Sequence, residues 1–339
     1  MSYGNVRTPK IMVNLFEWLV SHRGYSSDNT KTGNLDFLYD NSFNVDPDLT
    51  TTNFTYFAQD ALTDIDTSSL PFWTSPYSTL SFPSQYTEIK LMYNFYVKDG
   101  YDTLPLINSL FISGEDINGI DVEIKARIEQ NSEKSLFSGT INEDGYSIIE
   151  FNRDSTVSGY HEIEVRLQRN SGISQLNSVI LGSMYEFEHS PQFSIKMTNT
   201  FDGVLNTTNI GGHDSSTLLH LGTPRNPFNS KFVGGGANAL AGAEGRKSWE
   251  LNFNFLSDET TLPENFNDPL PDRGFVENFH SMVLSKTIGN HIRFLFIPNS
   301  QETSSPSDVF LCKFDQSDFT FDEVAPSLYN MNLKIKESW

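Results

Sequence analysis

A glycine-rich stretch, Gly234 to Trp249, reads GGGANALAGAEGRKSW and sets the first chemical question. A phosphate cradle of the Walker type needs G-x-x-x-x-G-K-[ST] and then a helix whose N-terminal amides face the phosphates. Here Arg246 intervenes between Gly245 and Lys247, so the spacing is off by one. The following residues, SWELNFNFL, alternate with period two, which is a half-buried strand. Trp249, Leu251, Phe253 and Phe255 form its inward set. The stretch therefore reads as a flexible loop feeding a strand, not a nucleotide site.

Other chemistry is weighed the same way. No G-x-S-x-G elbow and no H-E-x-x-H occurs. His213, Asp214 and Ser215 are sequence neighbours, whereas a triad is assembled across a fold. His213 and His220 lack a third ligand nearby and read as solvated loop histidines. Glu115, Asp116, Asn118 and Asp121 in GEDINGID are hard oxygen ligands that calcium would accept. Their spacing is not that of an EF-hand, and a plain surface turn is the simpler reading. No carboxylate pair stands out as a glycosidase pair. Cys312, the single cysteine, lies in the apolar run DVFLCKF and reads as a buried, inert thiol. The expectation is a non-enzyme with no cofactor and no metal.

The composition limits the partners. The chain has 339 residues with 23 Lys and Arg against 43 Asp and Glu, a net charge of −20. No basic run is present to neutralise a phosphate backbone or an anionic membrane, so neither nucleic acid nor a membrane is an expected partner. Nothing in the apolar pattern reaches the length of a spanning helix, and the N-terminus lacks signal-peptide character. With 27 Phe the chain has ample material for a core.

The elements that must position these residues are mostly strands. TEIKLMYNFYV, IDVEIKARI, SIIEF, HEIEVRL and NSVILGSMYEF are short apolar or alternating runs separated by turns, as in an antiparallel sandwich. They define a unit over 81–190. A second β unit, 191–339, starts at Pro191 and QFSIKM. It continues through a long polar loop over 205–247, then SWELNFNFL, one short helix around Phe275, Phe279, Met282 and Val283, and several closing strands. The last of these alternates Tyr329, Met331, Leu333 and Ile335, and is expected to share a core with the strand that Trp249 opens. Residues 1–80 read as an extended arm. Within it, Ile11, Leu15, Trp18 and Leu19 have the spacing of a short docking helix, and aromatics such as Phe72 and Trp73 could anchor the arm on another subunit. On this reading the arm contacts other chains more than its own, and deleting 1–60 leaves a folded protein. The fold class expected is all-β, two sandwich or jelly-roll-like domains with an N-terminal arm and one short helix in the C-terminal domain.

Several segments resemble a family. PLINSLFISGEDINGIDVEIKARI, with Ile107 to Ile112, Gly114 and Asp116, is similar to tailed-phage virion proteins that carry a galactose-binding-like jelly roll. Leu181, Gly182, His189, Ser190 and Pro191 resemble that family's link to its second domain. Gly245 to Trp249 and Glu337 to Trp339 are similar to its Gly-Arg-[Arg/Lys]-Ser-Trp strand and its closing Glu-Ser-Trp. The resemblance covers about 85–339 and implies a structural component of the virion tail or baseplate, synthesised in the host cytoplasm. Its partners would be other virion proteins and copies of itself. A distal-tail likeness is an analogy of fold alone. The alternative it leaves open is a glycan-binding module on the same particle, and the third is a polysaccharide-degrading enzyme. Assembly contacts are expected at Trp18, Phe72, Trp73, Gly234, Gly236, Gly245 and Trp339. Gly234 to Gly245 would be an inter-subunit loop that orders against a partner.

Overall fold

The computed structural model describes residues 6–14, 80–94, 107–114, 117–127, 133–142, 145–151, 162–176, 178–192, 195–200, 204–208, 214–218, 246–262, 277–300 and 309–338. The chain is all-β. Its strands are β1 (Lys10–Asn14), β2 (Leu80–Asn94), β3 (Ser109–Gly114), β4 (Asp121–Arg127), β5 (Glu133–Thr140), β6 (Gly145–Glu150), β7 (Glu162–Leu176) and β8 (Ser178–Glu186). They continue as β9 (Lys196–Thr200), β10 (Val204–Thr208), β11 (Asp214–Leu218), β12 (Arg246–Ser257), β13 (Phe294–Ile297), β14 (Phe310–Phe314), β15 (Phe321–Ala325) and β16 (Leu328–Glu337). Short helical turns interrupt them: α1 (Asp258–Thr261), a π-turn at His280–Leu284, and α2 (Ser285–Thr287) that continues it.

Among the described residues two large sheets make the architecture, and β10 and β11 form a separate two-stranded one. A four-stranded sheet runs β2-β7-β4-β5, and a ten-stranded sheet runs β6-β3-β8-β1-β13-β14-β16-β12-β9, with β15 also paired to β16. Every strand pairing is antiparallel. Val122, Ile124, Ala126, Ile163, Val165 and Leu167 are buried in the smaller sheet, and its β7 lies against β3 of the larger one. This is the layered arrangement of a β-sandwich. The large sheet crosses the expected 190/191 boundary, because β3, β6 and β8 belong to the same ladder as β9, β12 and β16.

The strand that joins the two halves is β1, and it replaces the expected docking helix at Ile11. It pairs with β8 on one side and β13 on the other, so it sits inside the sheet. Ile11 and Val13 join the main core while Met12 joins a smaller cluster on the opposite face. A strand buried on both faces shows no alternation, and the three apolar residues Ile11, Met12 and Val13 cannot distinguish it from a helix turn. Leu15, Trp18 and Leu19 lie outside the described residues. The expectation that the N-terminal segment serves other chains is also corrected for 6–14, which are part of this chain's own core. Another correction falls within 205–247: this span was read as loop, yet β10 and β11 form a hairpin there.

The larger core gathers aromatic side chains. Phe187 stacks on Phe253 with centroids 4.3 Å apart, and Phe279 of the helical segment meets both Tyr185 and Phe314. Trp249 is 3% exposed and meets Phe296 and Phe310 at 5.2 and 5.0 Å. β12 and β16 are neighbours, with Trp249 opposite Ile335, Leu251 opposite Leu333 and Phe253 opposite Met331. The expected shared core is therefore present. The inward set differs at one position. The register shifts between Phe253 and Leu256, so Leu256 is buried and Phe255 is 60% exposed. A bulge inserts an extra residue and reverses which side follows.

Candidate functional site

The seven residues expected at assembly contacts, Trp18, Phe72, Trp73, Gly234, Gly236, Gly245 and Trp339, all lie outside the described residues. Their described neighbours are well anchored. Arg246 begins β12, and the Ser338 amide donates to the Leu311 carbonyl at 2.9 Å. The motif segments beside them meet across one ladder. The Lys247 amide donates to the Glu337 carboxylate at 2.6 Å, and the Lys247 ammonium lies 4.7 Å from the Phe310 ring centroid. Cys312 is fully buried beside them. Burial pushes its thiol well above the ordinary value, Glu337 pushes the same way, and Lys247 opposes. A thiol held protonated is a poor nucleophile.

Two polar constellations could be mistaken for catalytic ones. Lys286 donates to the Ser183 hydroxyl at 2.7 Å, the pairing of a Ser-Lys nucleophile. Both residues are about 1% exposed, so substrate has no approach. They tie the helical segment to β8. Glu188 accepts from the Ser257 amide at 3.1 Å, from the Thr260 hydroxyl at 2.7 Å and from the Ser257 hydroxyl. Burial alone would raise its carboxyl, but the Ser257 and Thr260 donors and nearby His189 outweigh that and lower it. Tyr185 donates to the Thr260 carbonyl at 3.1 Å. Burial, then the charge of Glu188, raises its phenol above the usual range. This cluster pins the chain after β8 to the start of α1.

In the calcium candidate, Glu115 and Asp116 lie outside the described residues. Asn118 and Gly119 make a tight turn, with Gly119 at φ +80°, and Asp121 accepts from the Thr140 hydroxyl across the ladder. Among the described residues no cluster of three or more His, Cys, Asp or Glu could hold a metal ion. His213 and His220 lie outside the described residues.

A concave site lies over β12 and β16. A groove of about 450 Å³ is lined by Asn252, Asn254, Asn330, Asn332 and Lys334, with Asp315, Gln316, Asp318 and Thr320 from the segment after β14 and Asp322 from β15. Its geometry follows from the sheet edge. β14 pairs with the end of β16, from Ile335 to Glu337, and β15 pairs with its start, from Leu328 to Met331. Between them the chain leaves the sheet, and the Gln316 side chain fills the gap. Its amide donates to the Asn332 carbonyl at 3.1 Å and accepts from the Lys334 amide at 2.8 Å, as a strand backbone would. The Asp315 amide donates to the Lys334 carbonyl at 2.7 Å. These bonds hold the segment after β14 beside the middle of β16. On the floor, Asn332 donates to Asn252 at 2.8 Å.

The groove was not read from the sequence, although a signal exists. Asn is disfavoured in strands. Here it occupies the outward positions Asn252, Asn254, Asn330 and Asn332 of two paired strands, where Thr or Lys would serve structure better.

No family model matches the chain, and no curated protein matches it. Among solved structures it is similar to CpGH89CBM32-5 from Clostridium perfringens, in complex with GalNAc-β-1,3-galactose. That likeness has 11% identity and a TM-score of 0.23, and covers 37% of this chain and 83% of the other. The all-β assignment rests on this chain's own sheets.

Proposed function

We propose that this chain binds glycan in the groove over β12 and β16 and does not turn it over. The observation that carries the reading is the lining. Asn252, Asn254, Asn330 and Asn332 set planar amides side by side, and the donor and acceptor capacity left beyond their own bonds suits vicinal sugar hydroxyls, each both donor and acceptor. The volume of about 450 Å³ falls within the range of roughly 300–1,000 Å³ of small-ligand sites. An apolar ligand would strand these amides. A nucleotide would meet three carboxylates and a net charge of −20. Turnover needs a general acid, a carboxyl that burial keeps protonated at neutral pH. Asp315, Asp318 and Asp322 are exposed, and Asp315 faces Lys336.

A glycan array probed with the whole protein tests the reading, with reducing-sugar assays on the glycans it holds. Binding without product, lost in Asn252→Ala and Asn332→Ala, is expected. Binding to no glycan overturns it, and product release overturns its second half.

A second reading, a structural component of a tailed-phage tail or baseplate, rests on the motif resemblance. What favours it is that Lys247 and Glu337, from the two most specific motifs, are joined across one ladder as a single structural unit. Mass spectrometry of purified particles, with copy number, tests it. A ring-like copy number is expected, and absence from particles overturns it.

A further inference from the structure

Phe255 sits at the bulge of β12 with a left-handed backbone, φ +59°, which a bulky side chain adopts only where its surroundings impose it. What this conformation presents to β16 is an amide. The Phe255 N–H donates to Asn330 Oδ1 at 3.2 Å. A backbone N–H can only donate, so Asn330 must give it the oxygen, and the NH2 group is what Asn330 has left for the groove. On the other side of β16, Asp322 of β15 is the cross-strand partner of Asn330. Both residues line the groove. Asp322 is exposed, and an ionised carboxylate can only accept. The bulge therefore fixes a row of opposite character, a donor on β16 next to an acceptor on β15. The neighbouring row differs. There Asn332 donates to Asn252, so those two amides spend part of their capacity on each other.

We propose that the Asn330–Asp322 pair is the recognition point of the groove, and that it takes an unsubstituted vicinal diol of a sugar. The inference rests on the glycan reading above. Opposed residues on antiparallel strands hold their Cβ atoms about 4.5–5.5 Å apart, so one small ligand group reaches both. A hydroxyl donates its proton and accepts at its lone pairs. Two adjacent hydroxyls therefore satisfy both residues: the carboxylate takes their protons, and the amide donates to their oxygens. Charged groups satisfy only half of the pair. A guanidinium or ammonium suits Asp322 but sets its own N–H groups against the Asn330 NH2. A carboxylate or phosphate accepts from Asn330 but brings like charge to Asp322. An acetamido group carries a donor and an acceptor, and the derivatives below tell it from a diol.

The test titrates the full chain with the best glycan of the array and with derivatives of it that lack one hydroxyl at a time. Removing either of two adjacent hydroxyls is expected to cost about tenfold or more in affinity, the scale of a hydrogen bond to a charged group. Asp322→Asn and Asn330→Asp are each expected to lose as much while melting as wild type does. The first changes an exposed side chain, and the second keeps an oxygen for the Phe255 amide. The double variant Asn330→Asp with Asp322→Asn exchanges donor and acceptor, and is expected to recover most of the binding, which damage to the fold would not do. If Asn252→Ala abolishes binding and neither single exchange weakens it, the recognition point is overturned while the glycan reading stands. A double variant no tighter than the single ones overturns the donor–acceptor pairing. Affinity that follows an acetamido group and no adjacent hydroxyl pair overturns the diol. If no glycan binds, the glycan reading itself falls, and this inference with it.

Discussion

Single residues in this chain do work that their types alone do not announce. Gly182 is one case. A Cβ placed there would stand 2.3 Å from the Val13 carbonyl oxygen, so β1 could not stay paired where it is. Gly182 also takes the Asn108 amide and the Ser109 hydroxyl on its carbonyl, which fixes β8 from the other side. Gly182→Ala is expected to cost about 1–3 kcal/mol or more, the range for forcing extra atoms into a packed interior. An unchanged thermal midpoint would show that β1 has room to shift. Trp249 is the opposite case, a large side chain with ring neighbours in Phe296 and Phe310. Trp249→Ala is expected to cost roughly 3–5 kcal/mol, against a net stability of about 5–15 kcal/mol for a typical domain. Chemical denaturation would measure it, and a loss under 1 kcal/mol would mean the core collapses around the gap.

At the scale of elements, β1 carries the heaviest consequence. It is five residues long, yet β8 and β13 have no other partner at its position. Ile11 and Met12 are fully buried and Val13 nearly so. Deleting 1–14 would leave two strand edges unpaired in the middle of a sheet, exposing backbone donors and apolar faces together. The truncated chain is expected to lose cooperative unfolding and to aggregate, which circular dichroism melts and size-exclusion chromatography would read. A soluble protein with a wild-type melt would refute the central placement of β1. The same strand explains what could and could not be read in the sequence. β12 and β16 were legible because Trp249, Leu251 and Phe253 alternate with polar residues, as do Met331, Leu333 and Ile335. KIMVN was not, because burial on both faces erases alternation. The bulge was invisible because Phe255 continues the pattern in sequence while the register slips in space. The groove was half legible, in outward asparagines whose meaning depends on two strands being adjacent.

For the whole molecule, charge and two anchored ion sites set the response to pH. The acid side turns on Glu188, which ties the segment after β8 to α1. Its hydrogen bonds hold the folded carboxyl below the ordinary value of 4.5, despite burial acting the other way. Its contribution is therefore complete above the unfolded pKa and is lost as pH falls through the lower folded one. The alkaline side turns on Lys10, which reaches Glu150 at 2.6 Å and Glu186 at 3.2 Å from β1. Burial alone would lower its ammonium, but the two carboxylates outweigh that and raise it above 10.5. That contribution is complete below the unfolded value and is lost as pH rises through the higher folded one. Neither group titrates between these limits. Over that interval the net charge of −20 matters more, because moving from neutral pH toward the isoelectric point near 4.6 relieves self-repulsion. Wild-type protein is expected to melt slightly higher near pH 5.5 than at pH 8 at low salt, with the difference shrinking at high salt as screening shortens. Glu188→Gln is expected to melt lower than wild type by a constant margin across the neutral range, and the margin is expected to close as the wild-type carboxyl protonates in acid. A margin that does not shrink as pH falls below the ordinary carboxylate range and through the lower folded value would mean that Glu188 acts through shape rather than charge. No margin at neutral pH would mean that α1 does not depend on it.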